Sequence, residues 1–438
     1  MKIKSSQIAD FNQKYLNDQQ GQLSFLQGQL EKKGISTEQV ISQLMDLQIA
    51  IPSWALGAGG TRFGRFSIGG EPGNLEQKMD DIGILHALTR SAGAVSLHIP
   101  WDIPKDTLAI KELAASHGIV FDAVNSNTFQ DQSGQAHSYK FGSLCHTSSA
   151  VREQAVQHNM EVIDIGEKLG SKSITVWLAD GSAFPGQSNF RKALQRTMDS
   201  LKTIYNHLPA DWKMFIEYKP YEPNFYSTVI QDWGTSYLLA TECGEKAFTL
   251  VDLGHHLPNT NIEQIVATLM MRGKLGGFHF NDSKYGDDDL TVGSIKPYQL
   301  FLIFNELIGD FGCRMSDVDG VATEIRNPIS DISFMIDASH NVKDPLEDLI
   351  QSLEAIRTAY AQALLIDSQA LENARENNDV TQAQEILQDA FRTDVRPLLR
   401  EARLRNGGAL APLEVYRHLN VRQELIKERG RMTTATGL

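Results

Sequence analysis

The chain has 438 residues, 41% of them hydrophobic, and carries 54 Asp and Glu against 41 Lys and Arg, a formal net charge of −13. That balance argues against a protein built to neutralise a nucleic-acid backbone; no apolar run reaches the ~18 residues of a membrane span, and residues 1–10 lack the apolar core of a secretion signal. Three cysteines, Cys145, Cys243 and Cys313, lie far apart without metal-ligand spacing, the usage expected in a reducing cytoplasm.

Residues 1–47 read as two helices. The first is Gln-rich with Phe11, Tyr15, Leu23 and Leu30 as a thin apolar stripe, and Ser36 caps the second. From residue 48 a rhythm of short apolar strands and amphipathic helices sets in. Strands are expected at 49–54, 94–101, 119–125, 173–180, 213–218, 247–253, 275–280 and 332–337. Helices fall between them at 74–89, 105–117, 150–169, 190–208, 228–243, 262–271 and 297–308. Eight such strands are what a (β/α)₈ barrel over residues 48–343 needs. A doubly wound sheet would put a glycine fingerprint directly before a helix. Gly57, Gly59 and Gly60 follow the first strand, but Arg62, Phe66 and Pro72 interrupt any immediate helix. The stretch 312–331 is a long polar connection without periodicity. Residues 344–438 are helical again, opening at Asp344–Pro345 with Leu346, Leu349, Ile350, Leu353 and Ile356 at helical spacing. Arg396, Arg400, Arg403, Arg405, Arg422 and Arg429 alternate there with Glu401, Glu424 and Glu428, which suggests a solvated or subunit-facing surface and oligomer contacts.

In such a barrel, chemistry gathers at the C-terminal ends of the strands. Glu217 ends the fifth; Asp252 ends the sixth, with His255 and His256 just beyond. His279 ends the seventh, followed by Asp287, Asp288 and Asp289, and Asp337 ends the eighth. One buried histidine or carboxylate is an ordinary satisfied core group, but a cluster of them is costly unless paired or bound to cations. Five carboxylates, Glu217, Asp252, Asp287, Asp289 and Asp337, would nearly balance two divalent ions. A carboxylate-rich, partly nitrogenous donor set suits manganese or cobalt better than the compact tetrahedron of zinc. Trp54, Trp101, Phe129 and Trp177 follow the first four strands and can wall a pocket against the apolar face of a ligand such as a sugar, although any one alone could simply cap the core. His98, between Leu97 and Ile99, points into the barrel, and Lys219 shares a face with Glu217.

The segments VSLHIPWD, NSNTF, GQAHSYKFGSL, DGSAFPGQSNF, YEPNFYSTVIQDWGT, VDLGHH and GFHFNDSKYGDDDL resemble the bacterial L-rhamnose isomerases of the broad-specificity type. The resemblance implies a tetrameric aldose–ketose isomerase on a (β/α)₈ barrel with two divalent metals per subunit. By matching motif, Glu217, Asp252, His279 and Asp337 would hold the substrate-binding metal. Glu217 would bridge to a second metal on His255, Asp287 and Asp289. His98 and Lys219 would contact the sugar, with Trp54, Trp101, Phe129 and Trp177 lining its pocket, and Phe63 would reach a neighbouring subunit's site. Since both metal-binding histidines are then committed, hydrogen transfer between carbons is expected as a metal-assisted hydride shift rather than by a carbon-proton base. Two rivals stand beside this reading. A metal-dependent barrel phosphoesterase or endonuclease would need a basic groove, against the acidic balance. A metal-stabilised sugar-binding protein would need no second metal loop.

Overall fold

The computed structural model describes residues 2–57, 66–222, 226–309, 329–338 and 342–431. At the N-terminus the expected pair of helices is three: α1 (Ser5–Asn12), α2 (Leu16–Lys32) and α3 (Thr37–Asp46). The extra break follows Asn12, a buried amide whose Nδ2 donates to the Gly408 carbonyl (2.9 Å) and whose Oδ1 accepts from Leu410 N (2.9 Å). Anchoring to the far end of the chain thus interrupts what local spacing reads as one helix. Ser36 caps α3 as expected, accepting from Gln39 N at 3.3 Å.

The eight strands close into a parallel barrel in chain order. They are β1 (Ala50–Pro52), β2 (Ala94–Ile99), β3 (Val120–Ser126), β4 (Ser173–Val176), β5 (Lys213–Glu217), β6 (Ala247–Asp252), β7 (Leu275–Phe280) and β8 (Ser333–Ile336). Ala50 makes the closure, pairing with Ala94 on one side and Met335 on the other. Alternation along each strand then feeds two cores. Inside the barrel, Ala50, Ala94 and Ala123 leave room for Phe215, Leu250 and Met335. Gly276 is needed there, because a Cβ at that position would sit 2.6 Å from the Phe215 ring. Outside, the strands pack on α4 (Leu75–Thr89), α5 (Thr107–Ser116), α6 (Ser149–Leu169), α7 (Phe190–His207), α8 (Trp233–Cys243), α9 (Ile262–Met271) and α10 (Pro297–Gly309).

Strands β2 and β4 end at Ile99 and Val176, short of the expected 101 and 180, and two further boundaries move for local reasons. Strand β1 stops at Pro52, and a 3₁₀ turn, Ser53–Leu56, carries Trp54. The helix expected from 228 begins at Trp233, where Asp232 caps α8 by accepting from Thr235 N (2.7 Å). The residues before it are used in a hairpin, Tyr221–Glu222 with Tyr226–Ser227, and in a bridge from Thr228 to Gly181. Of the connection at 312–331, only 329–331 are described, as a 3₁₀ turn before β8.

Beyond the barrel run α11 (Pro345–Ala363), α12 (Ser368–Glu376), α13 (Val380–Arg392), α14 (Arg396–Arg405), α15 (Pro412–His418) and α16 (Val421–Arg429). Asp344 caps α11 at Leu346 N (3.0 Å). The arginines here do not form a single solvated face. Arg396 and Arg405 are exposed, but Arg403 is buried against Glu354 and the carbonyls of Ala409 and Leu410. Arg422 pairs with Asp344 (2.6 Å) and Arg429 with Asp81 of α4 (2.7 Å). The planar guanidinium can satisfy several oxygens at once: Arg403 holds the tail together, while Arg429, and Arg422 through the Gly69 carbonyl (3.3 Å), fasten it to its own barrel. No helix among the described residues is long and apolar enough to cross a membrane.

Candidate active site

A parallel barrel brings every strand's C-terminus to one face, and β5 to β8 each place an ionisable side chain there. One donor atom from each of Glu217, Asp252, His279 and Asp337 lies within 4.8 Å of the others. His279 Nδ1 is 3.2 Å from Glu217 Oε1 and 3.8 Å from Oδ2 of both Asp252 and Asp337. The same Glu217 Oε1 is 3.1 Å from His255 Nδ1, and His255 Nε2 is 3.0 Å from Asp287 Oδ1. One carboxylate oxygen therefore joins the quartet to a second group, and Asp289 stands on the wall of the same pocket.

Local bonds fix these carboxylates. Asp252 Oδ1 accepts from Gly254 N (2.7 Å), His255 N (3.2 Å) and Asn281 Nδ2 (3.0 Å). Its Oδ2 is left for the quartet, buried and without a hydrogen-bond partner among the described residues. Trp54 Nε1 donates to Asp337 Oδ1 at 2.8 Å. In the loop after β7, Asp288 gathers the N–H groups of Lys284, Tyr285 and Gly286 at 2.6, 2.9 and 3.0 Å. Asp287 and Asp289 take left-handed backbone angles, φ +55° and +48°, which Asp tolerates better than most residues. The middle aspartate thus folds the loop, while its neighbours serve the site.

Burial penalises every charge here, so the pattern of charge is informative. Burial pushes the His279 imidazole down, yet Glu217, Asp337 and Asp252 raise it to about 9. His255 is likewise driven well above its ordinary value, against burial, by Asp252, Asp287 and Glu217. Burial would raise Glu217, but the two imidazoles hold it well below the usual carboxylate range. For Asp252 burial prevails and pushes it up to about 6, and burial raises Asp337 too. The cluster calls for positive charge. An unpartnered carboxylate oxygen and mixed oxygen and nitrogen donors facing one point fit a divalent cation.

The first half of the barrel supplies the apolar wall. Trp54, His98, Phe129 and Trp177 line the pocket with Glu217, His255, His279, Asp289 and Asp337. Their rings form a connected series, with centroids 5.5 Å apart for Trp54–His98, 5.6 Å for His98–Phe129 and 4.9 Å for Phe129–Trp177. Trp101 stacks on His98 at 4.1 Å and supports the series without lining the pocket itself. Burial lowers His98 to about 3, so this imidazole is neutral at pH 7. Lys219 is held between Glu222 Oε2 and Asp287 Oδ2, each 2.6 Å from Nζ, and lies 5.5 Å from the Trp177 ring centroid. Phe63 lies outside the described residues.

Several site residues were not anticipated. Asn125, Ser126 and Thr175 line the pocket at the ends of β3 and β4; the strand-end rule that finds Glu217 also reaches Asn125, whereas Thr175 was hidden because the fourth strand ends at Val176 rather than at 180. Glu222 and Asn281 act through other side chains and carry no such signal. Nor does the buried pair Lys78–Asp102 (2.6 Å), whose carboxylate also accepts from His98 N (2.9 Å) and from the Ser53 hydroxyl.

Comparison with known proteins places this architecture. A probable sugar isomerase of Rhizobium meliloti (strain 1021) is 54% identical over 400 residues, covering 91% of this chain and 90% of the relative. Another probable sugar isomerase, from Mesorhizobium japonicum, is 51% identical over 408 residues, covering 93% and 92%. Among solved structures, the 3-keto-D-glucoside 4-epimerase of E. coli in its apo form shares the fold at 13% identity with a TM-score of 0.51, over 72% of this chain and 100% of that one. A family model described as a xylose isomerase-like TIM barrel matches residues 87–358. That span takes in β2 to β8 and the whole quartet, and the chain belongs to the xylose isomerase-like TIM barrel family.

Proposed function

We propose that this protein is an aldose–ketose isomerase that interconverts L-rhamnose and L-rhamnulose, along with other aldose–ketose pairs. It would use two divalent cations, manganese first among them, and pass hydrogen between adjacent carbons as hydride. The observation that carries the reading is the Glu217 oxygen, 3.2 Å from His279 and 3.1 Å from His255. It joins two donor sets in one pocket that also has an aromatic wall. The names of the two similar relatives support a sugar as substrate. The reading includes a homotetramer in which residues 344–438 supply contacts and Phe63 reaches a neighbouring site, as the resemblance implies.

Divalent cations held by Glu217, Asp252, His279 and Asp337, and by Glu217, His255, Asp287 and Asp289, would supply Lewis acidity towards the sugar's carbonyl and adjacent hydroxyl. The chain's own residues do the rest. Trp54, Phe129 and Trp177 exclude water and take the apolar face of an open-chain sugar. Asn125, Ser126 and Thr175 offer partners for its hydroxyls. Neutral His98 suits proton exchange with a ring hydroxyl. As a base for a carbon-bound proton it is poor, because burial lowers it to about 3, and this favours the hydride route.

The test is incubation with L-rhamnose and manganese in deuterated water. Ketose without carbon-bound deuterium is expected. Substantial carbon-bound deuterium would replace the hydride shift with a proton route through His98. No ketose from L-rhamnose or any other aldose would end the isomerase reading.

A further inference from the structure

A second cavity, of about 780 Å³, lies outside the pocket just described. The loops after β3 and β4, the first turns of α7 and the segment before α8 enclose it. Its volume is within the range of small-molecule sites. Among the described residues its lining contains Lys140, Lys192 and Arg196 and no aspartate or glutamate, in a chain where acids outnumber bases 54 to 41.

The Asp180 carboxylate lies behind this wall and offsets part of their charge, but among the described residues none of the three is held in an ion pair; Lys140 Nζ lies 5.5 Å from the Phe141 ring centroid instead. Asp180 is buried and already accepts from Ser143 N, Ser143 Oγ and Cys145 N at 2.8, 2.8 and 2.9 Å. Three like charges on the wall of one concave space raise the positive potential there. The N-terminal end of α7, capped by Asn189, opens on the same space and adds to it. Around the charges stand the hydroxyls of Thr147, Ser188 and Thr235, with Phe141 and Phe190, 75% and 48% exposed, at the edge.

We infer that this cavity binds a small phosphorylated organic molecule, its phosphoryl group among Lys140, Lys192 and Arg196 and its body against the hydroxyls and phenylalanines. A phosphoryl dianion matches several convergent cations better than a single carboxylate does. The volume also exceeds what an inorganic ion alone would fill.

Calorimetric titration of the metal-loaded full chain at low ionic strength tests this, with glycerol 3-phosphate, glycerol and citrate as probes. Glycerol 3-phosphate should bind at millimolar concentration or better and glycerol should not. The Lys140→Gln/Lys192→Gln/Arg196→Gln variant should lose at least about tenfold in affinity with sugar isomerisation unchanged. Equal binding by that variant would send the phosphate to the metal centre and overturn the inference. So would no binding up to ~10 mM, or citrate binding as tightly as the phosphate. Dissociation of an oligomer by the triple substitution would assign the cations to a second copy of the chain and equally overturn it.

Discussion

Replacing Lys78 by Met tests how the aromatic half of the site is held. Lys78 and Asp102 have side chains 2% and 1% exposed and meet at 2.6 Å. The same carboxylate takes the His98 N–H at 2.9 Å and the Ser53 hydroxyl, so it ties α4 to the ends of β1 and β2 beside Trp54 and His98. Met keeps the length and apolar stem of Lys and removes only the charge, leaving Asp102 buried with neutral donors. One-sided loss of a buried pair costs about 3–5 kcal/mol, against less than ~1 kcal/mol for an exposed one. At ~2.1 cal/mol/K per residue, a chain of 438 residues unfolds with an entropy of roughly 0.9 kcal/mol/K, so the Tm should fall by roughly 3–5 °C. Thermal and urea melts, followed by circular dichroism and tryptophan fluorescence, measure this. The Lys78→Met/Asp102→Asn double variant removes the stranded charge and keeps an acceptor for His98 N, so it should recover most of the loss. A single variant within ~1 kcal/mol of the parent, or a double variant less stable than the single, would refute the reasoning.

Asp287→Asn and Asp289→Asn should weaken the second divalent equivalent more than the first, read by metal titration; a double variant that keeps two equivalents and activity would remove this loop from the mechanism. Acid should destabilise the protein through two neutral histidines, buried His98 and half-buried His86. Burial lowers His86 to about 4 and His98 to about 3, while the unfolded chain titrates near ~6.5. Their contribution is therefore complete above ~6.5 and is lost as pH falls towards 4, by at most about 1.4 kcal/mol per pH unit per group. The urea midpoint of His86→Gln should fall less steeply across that window, and an unchanged slope would exclude His86. Gly166→Ala should destabilise by about 1–3 kcal/mol, because its Cβ would lie 2.7 Å from Trp212 and 2.9 Å from Val124 where α6 crosses β3. That outweighs the ~1 kcal/mol by which Ala is the better helix former, and a more stable variant would show that α6 can shift.

The strand ends were legible because alternation and burial are local. Glu217, Asp252, His279 and Asp337 each close an apolar run of a few residues, and a parallel barrel needs no further information to bring such ends to one face. Their convergence to within 4.8 Å follows from strand order and register. The loop after β7 marks the limit. Three consecutive aspartates look alike in sequence, and only the backbone path makes Asp288 the one that binds N–H groups while Asp287 turns to His255. Lys219 shows the same limit: its face was readable from its spacing to Glu217, but its engagement by Glu222 and Asp287 was not.

By itself, then, the sequence determined the repeating units, the barrel they close into and the residues at their ends, since periods of two and of about 3.6 residues act over a single element. The partners of those residues were decided by tertiary structure alone. Arg429 reaches Asp81 across 348 positions, and Asn12 reaches Leu410 across 398. Such pairs leave no local pattern. Buried charges and amides are satisfied by whatever oxygen or nitrogen the closed chain brings within hydrogen-bond reach, and that choice exists only after the barrel has formed.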